Sequence, residues 1–202
     1  MLGTAYYPEH WEEDRIEKDL SAFRNNGIEF VRIGEFMWSV LEPEEGKYNL
    51  SLLKKTMDIC KALQIKVILS TPSATPPAWL ISKYPQILQK DIVSDTKNFG
   101  GRRHYCYNSK EYALYVCKIV ELLACEFSSH DALYAWQIDN EFGCEDTSHC
   151  FCEKCDENFR TYLEDKYGDI GSLNKAWGTG LLVTDIQQFF SDHHPKKDSG
   201  YS

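Results

Sequence analysis

Hydrophobic positions along this chain follow two alternating rhythms. Short apolar, β-branched and aromatic runs at residues 3–7, 30–36, 66–70 and 132–138 read as strands. Between and after them, apolar residues recur at helical spacing over residues 12–26, 51–63, 110–127 and 156–167, with a shorter helical stretch at 172–177. Gly27 stands where a left-handed residue ends the first helix. Strands and helices in alternation predict an α/β chain with a parallel sheet built from four βα units. One connection breaks the rhythm: the stretch 71–109 holds four prolines and the pair Gly100-Gly101. So long a connection inside a compact domain is usually functional.

The fourth predicted strand runs into Asp139-Asn140-Glu141. A carboxylate just past the end of a buried parallel strand sits where barrels of alternating strands and helices put their chemistry, at the carboxyl-terminal face. Glu141 is therefore the candidate catalytic acid. On the Asn-Glu dipeptide alone an ordinary loop acid is an equally good reading, because so short a motif is common.

Size and charge narrow the class. The 202 residues suffice for one substantial core but fall short of the roughly 250 that a closed eight-stranded α/β barrel takes. A net charge of -9 and a pI near 5.2 argue against a nucleic-acid partner, since phosphate binding needs a basic face. No apolar run is long enough for a membrane span, and the first residues lack a charged segment followed by an apolar one. The expectation is a cytoplasmic protein with no membrane partner.

The chain has eight cysteines. Cys60, Cys117 and Cys125 lie within helical patterns and are expected to be small buried hydrophobes. Cys150-x-Cys152-x-x-Cys155 is different, because it brings three thiolates into one tight loop, and Cys106 would complete a tetrahedral four-sulfur zinc site. Such a site is closed, hence structural, and would tie the long excursion to the loop after the fourth strand. The spacing is unlike that of ferredoxins; the competing reading is a set of free thiols. Cys144 fits neither group.

The run Phe99-Gly100-Gly101-Arg102-Arg103-His104-Tyr105 leads into Cys106, so a metal there would hold two arginines near the mouth of the sheet. Their planar forks suit a carboxylate or several hydroxyls; a solvated basic turn is the alternative. Glu35, at the end of the second strand, is read equally as a substrate contact or as a salt bridge to one of these arginines. His10, Trp11 and Trp79 could line a sugar site or pack beneath loops, with packing favoured for Trp79.

Taken together, these segments resemble the amino-terminal part of glycoside hydrolase family 42 β-galactosidases. The resemblance is carried by Gly3-x-x-Tyr6-Tyr7-Pro8-Glu9-His10-Trp11, Val31-Arg32-Ile33-Gly34-Glu35-Phe36, Thr71-Pro72-x-x-Thr75-Pro76-Pro77, residues 99–106, Asp139-Asn140-Glu141-Phe142-Gly143-Cys144, the three loop cysteines and Leu173-Asn174-x-Ala176-Trp177-Gly178-Thr179. It implies a (β/α)8 barrel of which about the first four units are present, and retaining hydrolysis of β-galactosides. It further implies that Glu141 is the general acid/base, that Asn140 and Arg102 bind the galactosyl unit, and that Cys106, Cys150, Cys152 and Cys155 hold zinc. Full-length members of the family are expected to be homo-oligomers.

The nucleophilic glutamate of the family follows the seventh strand, beyond residue 202, so the chain by itself is expected to be inactive; a zinc-stabilised scaffold or sugar-binding remnant is the alternative. Residues 180–202 depart from the family pattern. The stretch 182–189 can be encoded so that another reading frame gives Phe-Trp-Ser-Gln, the family continuation, and an out-of-frame tail is expected there.

Overall fold

Four short strands, β1 (Gly3–Ala5), β2 (Phe30–Ile33), β3 (Lys66–Ser70) and β4 (Leu133–Gln137), lie side by side in chain order, each parallel to the next. The computed structural model describes residues 2–93, 95–100, 103–144 and 147–179; Arg102 and the expected tail 180–202 lie outside the described residues. Parallel neighbours cannot be joined by a tight turn, so each pair needs a crossover. Helix α1 (Glu13–Asn25) supplies the first, and α2 (Trp38–Leu41) with α3 (Ser51–Ala62) the second. The third holds α4 (Ala78–Lys83) and α5 (Lys110–Phe127), while α6 (Glu153–Tyr167) and α7 (Ile170–Trp177) follow β4. The result is an α/β partial barrel of the (β/α)8 type.

Strand side chains alternate between two faces. Val31, Ile33, Val67 and Leu69 face the helices and are fully buried against Ile16 and Leu20 of α1 and Leu53, Met57 and Cys60 of α3. Burying each of the larger aliphatic side chains contributes about 1.5–3 kcal/mol, which makes this layer the main source of stability. On the opposite face Ala5, Arg32 and Ile68 line a hollow of about 370 Å³. A second small core, Leu163 with Leu173, joins α6 to α7.

Helix α5 shows why the expectation for two cysteines was wrong. Its buried row is Tyr112, Tyr115, Ile119, Leu123 and Phe127, in steps of three and four residues. Cys117 and Cys125 fall about half a turn away from that row and are exposed, whereas Cys60 lies on the inward side of α3 and is buried. Burial pushes the Cys60 thiol up to about 12. Trp79 packs, as favoured: its indole N–H donates to the Glu42 carbonyl at 2.8 Å and its ring meets Tyr115 edge-on.

Two strands end earlier than their apolar runs. Tyr6 still donates its N–H to Arg32 O at 2.9 Å, but Pro8 then opens a 3-10 turn over Pro8–His10. Strand β2 stops at Ile33 because Gly34 has φ 104°, a conformation side chains other than glycine's rarely adopt. A Cβ added there would stand 3.1 Å from Ser70 O on β3. Gly34→Ala is expected to lower the free energy of unfolding by about 1–3 kcal/mol, since it adds both strain and a backbone clash. Urea unfolding of the two proteins checks this, and a change below about 0.5 kcal/mol would be ordinary for a surface position and would show that the turn does not need glycine.

Candidate active site and metal centre

Because the strands are parallel, the residues that follow them collect at one edge of the sheet. There the ends of β3 and β4 are cross-linked, with Thr71 N–H donating to Gln137 O at 2.9 Å and Asp139 N–H donating to Thr71 Oγ1 at 2.7 Å. The chain then turns through two left-handed non-glycine residues, Asp139 at φ 57° and Glu141 at φ 48°. Such positions cost about 1–3 kcal/mol each and persist only where the surroundings over-determine them. Here they flank Asn140, which is buried, while Glu141 is exposed.

The groups that hold this turn are visible. Asn140 N–H donates to Asp139 Oδ1 at 2.6 Å, and the Gln137 side-chain amide donates to Asp139 O at 2.8 Å and to Asn140 Oδ1 at 3.2 Å. Tyr105 O–H donates to Asp139 Oδ2 at 3.1 Å, and Arg103 Nη2 lies 3.3 Å from Asp139 Oδ1. Arg103 is thus no solvated turn residue; it is 2% exposed and inside the protein. Burial opposes its charge, but the Tyr107 hydroxyl, Tyr105 and Asp139 outweigh burial and hold its pKa above the usual value. Tyr105 is kept as a phenol by burial first, then by neighbouring Tyr112 and Asp139. Sequence reasoning offered Arg103 only Glu35 as a possible partner and Asp139 none, since nothing in the chain order puts Arg103 and Asp139 in contact.

Glu35 lies at the same edge, immediately after β2 and Gly34. It is fully buried, and among the described residues its charge partner is Arg32, Nη2 to Oε1 2.7 Å in ion-pair rather than hydrogen-bond geometry, not Arg103; a bridge to Arg102 lies outside the described residues. Glu9 also approaches Glu35, and both of its buried oxygens lack a hydrogen-bond donor among the described residues. His10 stacks on Tyr7, which stacks on Phe36, and Trp11 lies under the Arg15 guanidinium at 3.8 Å.

The four cysteines converge. Their sulfurs all lie within 4.8 Å of one another, with Cys106 Sγ 3.6 Å from Cys152 and 3.3 Å from Cys155. The excursion folds back to make this possible. Cys106 N–H donates to Ile87 O at 2.6 Å, and Phe151 N–H donates to Lys90 O at 2.9 Å, so the two loops are stitched together around the cluster. Helix α6 starts at Glu153, earlier than its periodicity predicts, with Cys152 at its N-cap position. The Asn108 side-chain amide lies 3.2 Å from Cys155 Sγ. Hydrogen bonding from Cys106, with backbone groups of Lys90 and Cys152, holds the Cys150 thiol below its ordinary value; that same hydrogen bond and burial push Cys106 up. Such a cluster could hold a metal ion. Cys144 is exposed and is not one of the four.

A family profile described as β-galactosidase, that of glycoside hydrolase family 42, matches residues 5–199. The chain belongs to glycoside hydrolase family 42. It is 47% identical over 189 residues to a β-galactosidase of Thermus thermophilus, covering 94% of this chain and 29% of that protein. A β-galactosidase of Halorubrum lacusprofundi is 38% identical over 210 residues, covering all of this chain and 30% of the relative. Among solved structures, β-galactosidase from the psychrophilic Marinomonas ef1 superimposes with a TM-score of 0.88 at 40% identity, over 93% of this chain and 29% of that one. The chain therefore spans a little under a third of the length of the relatives it matches. No described helix is long and apolar enough to cross a membrane.

Within this family-42 chain Arg32 is the ion-pair partner of Glu35, and Glu9 stands beside Glu35. Burial, with a smaller push from Glu35, raises the Glu9 pKa, against opposing pulls from its own backbone and His10. A carboxyl raised on folding supports the fold below its unfolded pKa and weakens it as pH climbs through the folded value. Glu9→Gln is therefore expected to raise the melting temperature near pH 7, with the gain shrinking as pH falls through the raised folded value and gone below the ordinary carboxylate value of about 4.3. Thermal melts across that range check the sign; a variant less stable at pH 7 would show that Glu9 is ionised and compensated.

Proposed function

We propose that this chain carries the acid/base half of a retaining β-galactosidase site. The observation that supports it most is the placement of Asn140-Glu141 in a braced turn directly after β4, at the carboxyl-terminal edge of a family-42 barrel. Glu141 donates a proton to the glycosidic oxygen as the bond to the anomeric carbon breaks, then takes a proton from the water that attacks in the second step. Asn140, Arg102 and Glu35 hold hydroxyls of the galactosyl unit. The retaining mechanism also needs a nucleophilic carboxylate about 5–5.5 Å from the first. By family resemblance that residue follows a seventh strand, and the described sheet has four.

Cys106, Cys150, Cys152 and Cys155 are assigned to zinc. A tetrahedral zinc with Zn–S distances of about 2.3 Å spaces its sulfurs about 3.8 Å apart, close to the separations in the cluster. Four protein ligands leave no open position, so the ion's contribution is structural: it joins the loop before α5 to the loop before α6.

Two outcomes test these assignments. Purified protein is expected to contain about one zinc per chain by elemental analysis, to lose it on Cys106→Ser, and to melt several degrees lower with a chelator; zinc-free protein with an unchanged melt would refute the metal assignment. The 202-residue chain alone is expected to leave a nitrophenyl β-galactoside intact. Residues 1–179 joined to the rest of the Thermus thermophilus barrel are expected to cleave it. Glu141→Gln in that joined enzyme should reduce kcat/KM toward poor leaving groups by about 100-fold or more. Equal activity with and without Glu141 would remove it from the mechanism.

A further inference from the structure

The turn that carries Glu141 depends on a residue with no assigned part in the chemistry. We propose that Asp139 is the positioning residue for Asn140 and Glu141, with Arg103 as its buried counterion. The inference rests on reading Glu141 as the acid/base.

Each polar group of Asp139 is fixed by a different part of the fold. Its N–H donates to Thr71 Oγ1 after β3, and its C=O accepts from the side chain of Gln137 on β4. One carboxylate oxygen accepts the Asn140 N–H and faces Arg103, and the other accepts the Tyr105 hydroxyl. The 2.6 Å bond to the Asn140 amide is the decisive contact, because a carboxylate that captures the next residue's N–H defines the peptide plane between Asp139 and Asn140. That plane stands at the entry to the left-handed backbone from which Glu141 projects.

Arg103 closes the arrangement from the far side. Its guanidinium carbon lies 5.0 Å from the centre of the Phe142 ring while its Nη2 faces Asp139, so one cation touches the residue two before Glu141 and the residue one after it. Arg103 itself has left-handed φ 56° and a backbone N–H donating to Ala74 O at 3.4 Å. A buried ion pair contributing only to stability would not need to grip both flanks of one exposed glutamate. Removing the Asp139 carboxylate frees the Asn140 amide and leaves the guanidinium without its counterion, so Glu141 loses the fixed direction that proton transfer requires.

The test uses the joined enzyme, with Asp139→Ala, Asp139→Asn, Arg103→Met and Arg103→Lys compared with Glu141→Gln. Two substrates are compared: lactose, whose departure needs a proton, and a dinitrophenyl β-galactoside, whose departure does not. Asp139→Ala and Arg103→Met are expected to cut kcat on lactose by about 100-fold while changing the activated substrate by less than about 10-fold, with KM little altered. Arg103→Lys, which keeps the charge, should recover part of the loss. Equal losses on the two substrates, or none, would make the pair merely structural and overturn the proposal. Glu141→Gln separates the two levels: if it shows no leaving-group dependence, the acid/base reading itself falls, and if it does while Asp139→Ala does not, only the positioning role falls. Should a variant fail to fold in the joined enzyme, the amide proton of Asn140 in the 202-residue chain gives an independent reading. It is expected far downfield and slow to exchange, and to lose both properties in Asp139→Ala; an unchanged resonance would overturn the proposal.

Discussion

Parallel strand pairing in simple chain order governs the rest of this molecule. When β1, β2, β3 and β4 run the same way, each helix must return the chain to the starting edge. The other edge is then left to the segments that follow the strands, which is why Pro8–His10, Gly34-Glu35, Thr71 and Asp139-Asn140-Glu141 meet although they are scattered through the chain. The strands themselves are only three to five residues long. The helix-facing residues of β2 and β3 are buried to completion, and that apolar layer stabilises an edge rich in charged groups that would not be stable alone.

The long excursion between β3 and α5 is the second device. It has little core of its own, yet it delivers two things from adjacent positions: Arg103 and Tyr105 to the underside of the turn that carries Glu141, and Cys106 to the sulfur cluster. The same few residues therefore couple the cysteine cluster to the geometry around Glu141. Stacking of Tyr105 on Tyr112, at 4.0 Å between ring centres, anchors the coupling in α5. Cys106 directly follows Tyr105, whose hydroxyl donates to the carboxylate that braces the turn.

Charge burial is treated differently at the two ends of this edge. Asp139 is buried with a guanidinium, a phenol and a backbone amide around it, so its negative charge is matched and directed. Glu35 has Arg32 as its ion-pair partner, whereas burial raises the pKa of Glu9, whose side-chain oxygens lack a hydrogen-bond partner among the described residues. In the first case the low local dielectric strengthens a complete network; in the second it penalises an incomplete one.

The sequence by itself determined what depends on near neighbours. Alternating periodicity defined four βα units, Gly27 marked the end of α1, the Asn140-Glu141 pair was placed beyond β4, and the Cys150, Cys152 and Cys155 spacing pointed to a common centre. Local interactions within one turn of helix or one strand suffice for each of these. Tertiary structure alone decided that Gly34 ends β2 against Ser70, that Cys117 and Cys125 face outward, that Arg32 takes Glu35, and that Arg103 takes Asp139. These outcomes depend on which side chains are brought together by strand register and helix rotation. Residues far apart in the chain carry no local sign of the partner they will meet, because the pairing energy exists only once the sheet has closed around it.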